Sequence, residues 1–96
     1  MEKYELILSA HRALLNNASP KFRMISCEVK EPNYLDVLVV VSEELSQDEK
    51  DLMYSFAVEI LGDFVEITST GVKFVIYTGD IDLAPHLEIL IYAVSE

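Results

Sequence analysis

Ninety-six residues allow one modest hydrophobic core, since a chain of this length buries roughly 60 to 65% of its unfolded surface. Apolar residues make up 51% of the sequence and aromatic residues 9%, a globular composition that argues against disorder despite the charge. Seventeen acids against seven bases leave a formal net charge of −10, which opposes contact with phosphate backbones and anionic membrane surfaces and suits a basic partner or simple solubility.

Apolar runs such as Val37 to Val41 are far too short to span a bilayer, and the start Met1-Glu2-Lys3-Tyr4-Glu5 lacks a basic flank leading into an apolar signal core. One domain over residues 1–96, located in the cytoplasm, is the expectation. Cys27 is the sole cysteine, so neither an internal disulfide nor a cysteine-based zinc site can form.

From Tyr4 to Asn17, Leu6, Ile7, Ala10, Ala13 and Leu14 follow the i, i+3, i+4, i+7 spacing of an amphipathic helix, with Asn16 and Asn17 suited to its end. Ser19-Pro20 breaks the chain. Phe22 to Val29 then alternates Ile25, Cys27 and Val29 with Met24, Ser26 and Glu28, as a half-buried strand does. Glu31-Pro32-Asn33-Tyr34 places proline and asparagine where a tight reversal wants them and leads into a second strand, Leu35 to Val41.

Ser46-Gln47-Asp48-Glu49 is a capping box, which predicts a helix start at that point. Met53, Phe56, Ala57 and Ile60 form the stripe of this second helix, and Gly62 stands where a left-handed cap would end it. Val72, Phe74 and Ile76 alternate with Lys73, Val75 and Tyr77 in a third strand. Leu87, Ile89, Ile91 and Ala93 alternate with Glu88, Leu90, Tyr92 and Val94 in a fourth. Val65 to Ser69 reads either as a separate strand or as the front of the third, bent at Gly71 by a bulge.

The order α-β-β-α-β-β predicts an α/β (α+β) two-layer sandwich, a mixed four-stranded sheet with both helices on one face. The helix between strands two and three permits a parallel crossover. The opposite face is expected to be uncovered and to carry Leu38, Val40, Val75, Tyr77, Leu90 and Tyr92. Such a face suits a homodimer or a partner, although apolar residues also favour strands for their own sake.

Signs of catalysis are sparse. Cys27 shares the phase of Ile25 and Val29, which buries it, and His11 and His86 sit on separate elements without neighbouring ligands. The run Thr78-Gly79-Asp80-Ile81-Asp82 lacks the remaining ligands of a calcium loop and reads as a solvated loop. The three glycines form no phosphate-binding motif. The chain is therefore expected to be no enzyme, with no cofactor and no metal.

Acids cluster at Glu43, Glu44, Asp48, Glu49 and Asp51. On the second helix Asp48, Asp51, Ser55 and Glu59 fall opposite the apolar stripe, an acidic ridge flanked by Tyr54. Part of this charge favours the helix dipole, and a ridge of this kind is ordinarily a solvated face. Read as a binding surface, it offers Arg and Lys on a partner charge-assisted contacts. The candidate partner-binding residues are accordingly Glu44, Asp48, Asp51, Tyr54, Glu59, Tyr77 and Tyr92.

The stretch Asn16-Asn17-Ala18-Ser19-Pro20-Lys21-Phe22-Arg23-Met24-Ile25-Ser26, then Leu45 to Leu52 and Ala57 to Phe64, resembles small acidic immunity proteins of bacterial contact-dependent growth inhibition systems. The closing strand Glu88-Ile89-Leu90-Ile91-Tyr92 extends the likeness, which covers most of the chain from Leu14. The resemblance implies binding to the toxic domain of a delivered effector, often a ribonuclease that cuts transfer RNA. An acidic protein can occupy the phosphate-binding surface of such a domain by charge complementarity, or bind beside it and block access, and the negative charge argues against direct nucleic-acid or membrane contact. The rival reading is a non-catalytic structural or regulatory homo-oligomer that uses the open sheet face, and a weaker third is a small enzyme built from unmarked carboxylates.

Overall fold

A computed structural model describes residues 2–95. In chain order it contains α1 (Lys3–Leu14), β1 (Phe22–Lys30), β2 (Tyr34–Val41), α2 (Gln47–Asp63), β3 (Ser69–Ile76) and β4 (Ile89–Ala93), with a 3₁₀ turn at Ile81–Leu83 before β4. The sheet order is β3-β2-β1-β4, with β1 antiparallel to β2 and β4, and β2 parallel to β3. This is the expected mixed sheet with two helices on one face. α1 lies toward β4 and α2 toward β3.

The core forms where the helix stripes meet the sheet. Leu6 and Ala10 from α1, Met53, Phe56 and Ile60 from α2, and Ile25, Cys27, Val37 and Val39 from the strands are fully buried. Each large apolar side chain removed from water in this way contributes about 1.5 to 3 kcal/mol.

Several boundaries differ from expectation for identifiable reasons. α1 stops at Leu14, and Asn17 folds back beyond it, donating from Nδ2 to the Ala13 carbonyl at 2.8 Å and to Glu59 Oε2 at 2.7 Å. That contact satisfies a helix-end carbonyl and ties the end of α1 to α2. Gly62 is not a left-handed cap: α2 continues through Asp63, and no glycine among the described residues has positive φ. Phe64 instead leaves the helix in extended conformation, which carries both Phe64 and Ile67 into the core. The Glu31–Pro32 bond in the β1–β2 turn is cis.

Residues 65–68 form no strand, and β3 begins at Ser69. Its parallel pairing runs without a shift from Tyr34↔Ser69 to Val41↔Ile76, so there is no bulge at Gly71. The glycine serves close approach instead, because a Cβ there would lie 1.9 Å from Tyr34 Oη.

A bulge does occur in β4. Ser26 pairs with Leu90, yet Ile25 pairs with Tyr92 and Met24 with Ala93, so one extra residue is accommodated at Ile91. Tyr92 is therefore aligned with a helix-side residue and does not share the open face with Tyr77 and Leu90. Strict alternation fails there because an inserted residue reverses the phase of all that follow.

The open face is only partly open. Met24 and Val40 are covered by Ile81 and Ala84 from the segment after β3, with Tyr77 and Val94 packed alongside. Arg23 holds this segment down by donating to the carbonyls of Tyr77 and Gly79, the latter at 2.9 Å. Ser26 Oγ accepts from the Leu87 amide at 2.8 Å. Toward the other end of the same face the surface is polar, where buried Asp36 accepts from Lys30 Nζ at 3.0 Å.

Candidate partner-binding surfaces

α2 begins at the expected residue. The Ser46 side chain accepts from the Glu49 amide at 3.2 Å, and Glu49 Oε1 accepts from the Ser46 amide at 2.9 Å. Glu49 also takes Lys21 Nζ at 2.9 Å and Ser19 Oγ at 3.1 Å. The Ser46 amide, followed by Lys21, pulls the Glu49 carboxyl from 4.5 down to about 2. Glu49 thus belongs to the clamp between the β1 approach and α2. Lys21, its pKa raised chiefly by Glu49, also reaches Glu43 at 3.4 Å.

The remaining acids of α2 diverge. Asp48 and Asp51 are exposed on the outer face, with Gln47 Nε2 donating to Asp51 at 2.9 Å. Glu59 turns toward α1 and accepts from Asn17. Nearby, Ser9 Oγ donates to Asp63 Oδ2 at 2.6 Å and Arg12 reaches the same oxygen at 3.4 Å. Tyr54 lies on the β3 side, edge-on to Phe74 with ring centroids 5.9 Å apart and planes at 81°. Glu44 borders a separate cleft of about 260 Å³ between α2 and β3, floored by Val41, Leu45, Phe74 and Ile76 and shared with Lys50. Tyr77 is half-buried on the open face, with the Arg23 guanidinium 5.9 Å from its ring centroid. The seven candidate residues therefore spread over several surfaces, with only Asp48 and Asp51 standing clear on the ridge.

A concavity that the sequence did not announce lies on the open face. It measures about 290 Å³ and runs between the 3₁₀ turn and β4, with Met24, Ile81, Leu90 and Ala93 as its apolar floor and Asp82, His86 and Glu88 among its walls. Its one sequence signal is compositional: from Phe74 onward the sequence has no Lys or Arg. The loop that forms one wall is shaped by local bonding, since Asp80 Oδ1 accepts from the Asp82 amide at 3.0 Å.

Cys27 is fully buried, and desolvation pushes its thiol up to about 12, so it is held as the un-ionised thiol. His11 Nε2 lies 3.0 Å from the Ile91 carbonyl and His86 Nδ1 2.9 Å from the Leu87 carbonyl, on distant parts of the fold. Among the described residues no three His, Cys, Asp or Glu side chains are grouped to hold a metal ion. No helix among them is long and apolar enough to cross a membrane.

The fold is a two-layer α+β sandwich that presents exposed acids on α2 and, on the open face of the sheet, an apolar groove with Asp82 and Glu88 among its walls. The family model described as MafI2 immunity protein matches residues 3–96, and the chain belongs to that family. No curated protein matches it. Membership supports a toxin-neutralising immunity function and implies a cognate toxin as partner.

Proposed function

We propose that the protein neutralises its toxin by non-catalytic binding and that this toxin is a basic nuclease domain. A transfer-RNA-cutting ribonuclease carried by a contact-dependent growth inhibition effector is the specific candidate. The observation that carries this reading is the disposition of charge. The net charge is −10, and four of the seven basic residues are engaged internally: Arg12 with Asp63, Lys21 with Glu43 and Glu49, Lys30 with Asp36, and Arg23 with two backbone carbonyls. Three basic residues, Lys3, Lys50 and Lys73, stand outside these contacts, against seventeen acids in the sequence. A nuclease must present Arg and Lys to phosphates, so an acidic protein complements that surface and excludes the substrate from it.

The Asp48–Asp51 ridge acts in this reading as a steering surface, because exposed charges are felt over about 8 Å at physiological ionic strength. Reversing Asp48, Asp51 and Glu59 to Lys should slow association with the cognate toxin domain and flatten its salt dependence. Dissociation should change much less. Since Glu59 also accepts from Asn17, the Asp48→Lys/Asp51→Lys pair serves as the variant that leaves the helix contact intact. Association kinetics across a salt series, with circular dichroism to confirm folding, give the readout. Association unchanged at low salt would remove the ridge from the encounter, and a wild-type protein that neither binds nor inhibits the toxin would remove the proposal.

A further inference from the structure

Two apolar concavities differ in charge. The cleft between α2 and β3 has Glu44 and Lys50 on its rim, an acid and a base. The groove between the 3₁₀ turn and β4 has Asp82 and Glu88, and among the described residues that line it there is no Lys or Arg. Arg23, the basic residue close by in sequence, is buried with its guanidinium on the Tyr77 and Gly79 carbonyls. The groove floor includes Leu90, which is 50% exposed, and Leu83 on the adjoining turn is 76% exposed.

An apolar floor beside two carboxylates matches one kind of side chain closely. The aliphatic stem of an Arg or Lys covers apolar surface while its charged head reaches an acid. A second copy of this chain fits poorly, because it brings a further net charge of −10 and the described residues lining its own groove include no Lys or Arg.

We infer that this groove anchors a basic, apolar-stemmed segment of the cognate toxin, with Met24 and Leu90 receiving the stem and Asp82 and Glu88 the cationic head. The inference rests on the proposed basic toxin and adds the surface that holds it. The ridge on α2 governs encounter, while the groove governs residence, because contacts made only after docking are expressed in dissociation.

The groove is anchored without those acids: Ile81 and Ala84 pack on Met24 and Val40, and Ser26 Oγ holds the Leu87 amide. Asp82→Lys/Glu88→Lys and, separately, Leu90→Asp are therefore expected to fold. The probe is the cognate toxin domain, made inactive by substitution and immobilised. Wild-type protein should bind it, the double reversal should dissociate at least tenfold faster, and Leu90→Asp should show a similar loss. Asp82→Asn/Glu88→Gln should fall between, and Glu5→Lys, at an exposed position on α1, should stay within twofold of wild type. Wild-type dissociation rates for folded double-reversal and Leu90→Asp proteins would overturn the groove while leaving the proposed function standing. Absence of wild-type binding would overturn both. Sedimentation of the protein alone supplies the remaining arm, since a dimer abolished by Leu90→Asp would assign the groove to a second copy and overturn the inference.

Discussion

The two faces of the sheet are built on opposite rules. On the helix side, Leu6, Phe56 and Ile60 meet Ile25, Val37 and Val39 in a continuous apolar layer with essentially no exposure. On the other side, a small cluster around Met24 and Val40 gives way to the Lys30–Asp36 ion pair at one end and to a groove with acidic walls beside it. The difference teaches which face carries stability and which is free to carry recognition. Close packing penalises change on the first, whereas half-exposed side chains on the second can vary at small cost.

The sharpest way to break that comparison is by truncation. Phe56→Ala should destabilise the protein by about 3 to 5 kcal/mol, since a fully buried ring leaves a cavity between α2 and the sheet. Leu90→Ala, at a half-exposed position, should cost about 1 kcal/mol or less. Urea denaturation midpoints decide it, and equal losses would mean that the open face is as much a core as the covered one.

The start of α2, on the covered side, sharpens it further. Ser46→Ala removes the capping box of a 17-residue helix and should cost about 0.5 to 2 kcal/mol. A Ser46→Ala protein with an unaltered urea midpoint would show that Lys21 and Ser19 hold the start of α2 without the cap.

The smallest effect concerns acid. Because the Glu49 carboxyl is lowered to about 2 in the folded protein against an ordinary 4.5, its contribution is fully present above pH 4.5 and is lost as pH falls toward 2. Glu49→Gln should therefore flatten that part of the stability profile, most visibly between pH 4.5 and 2. Denaturation midpoints measured over pH 2 to 6 test it, and parallel profiles for the two proteins would assign the acid limb to other carboxylates.

The chain's own pattern determined the element order, the two helix stripes, the burial of Cys27 and the start of α2, because each depends on residues close in sequence whose spacing matches a helix or strand repeat. The capping box is the clearest instance, with both of its hydrogen bonds made between residues three apart. The end of α2 was not legible in Gly62, because the decision fell to Phe64 and Ile67 seeking the core. The bulge that realigns Tyr92 depends on pairing with β1, some 65 residues distant, and alternation within β4 contains no sign of it. Tertiary structure alone also decided the fate of the acids. Glu49 read as one of an acid cluster and Glu59 as part of the ridge by helical phase, yet Lys21 and Asn17, which meet α2 only in the folded chain, drew them into internal contacts. The groove has the same origin, since Met24, Asp82 and Leu90 lie on three segments that converge only when the 3₁₀ turn packs over Met24 and Val40.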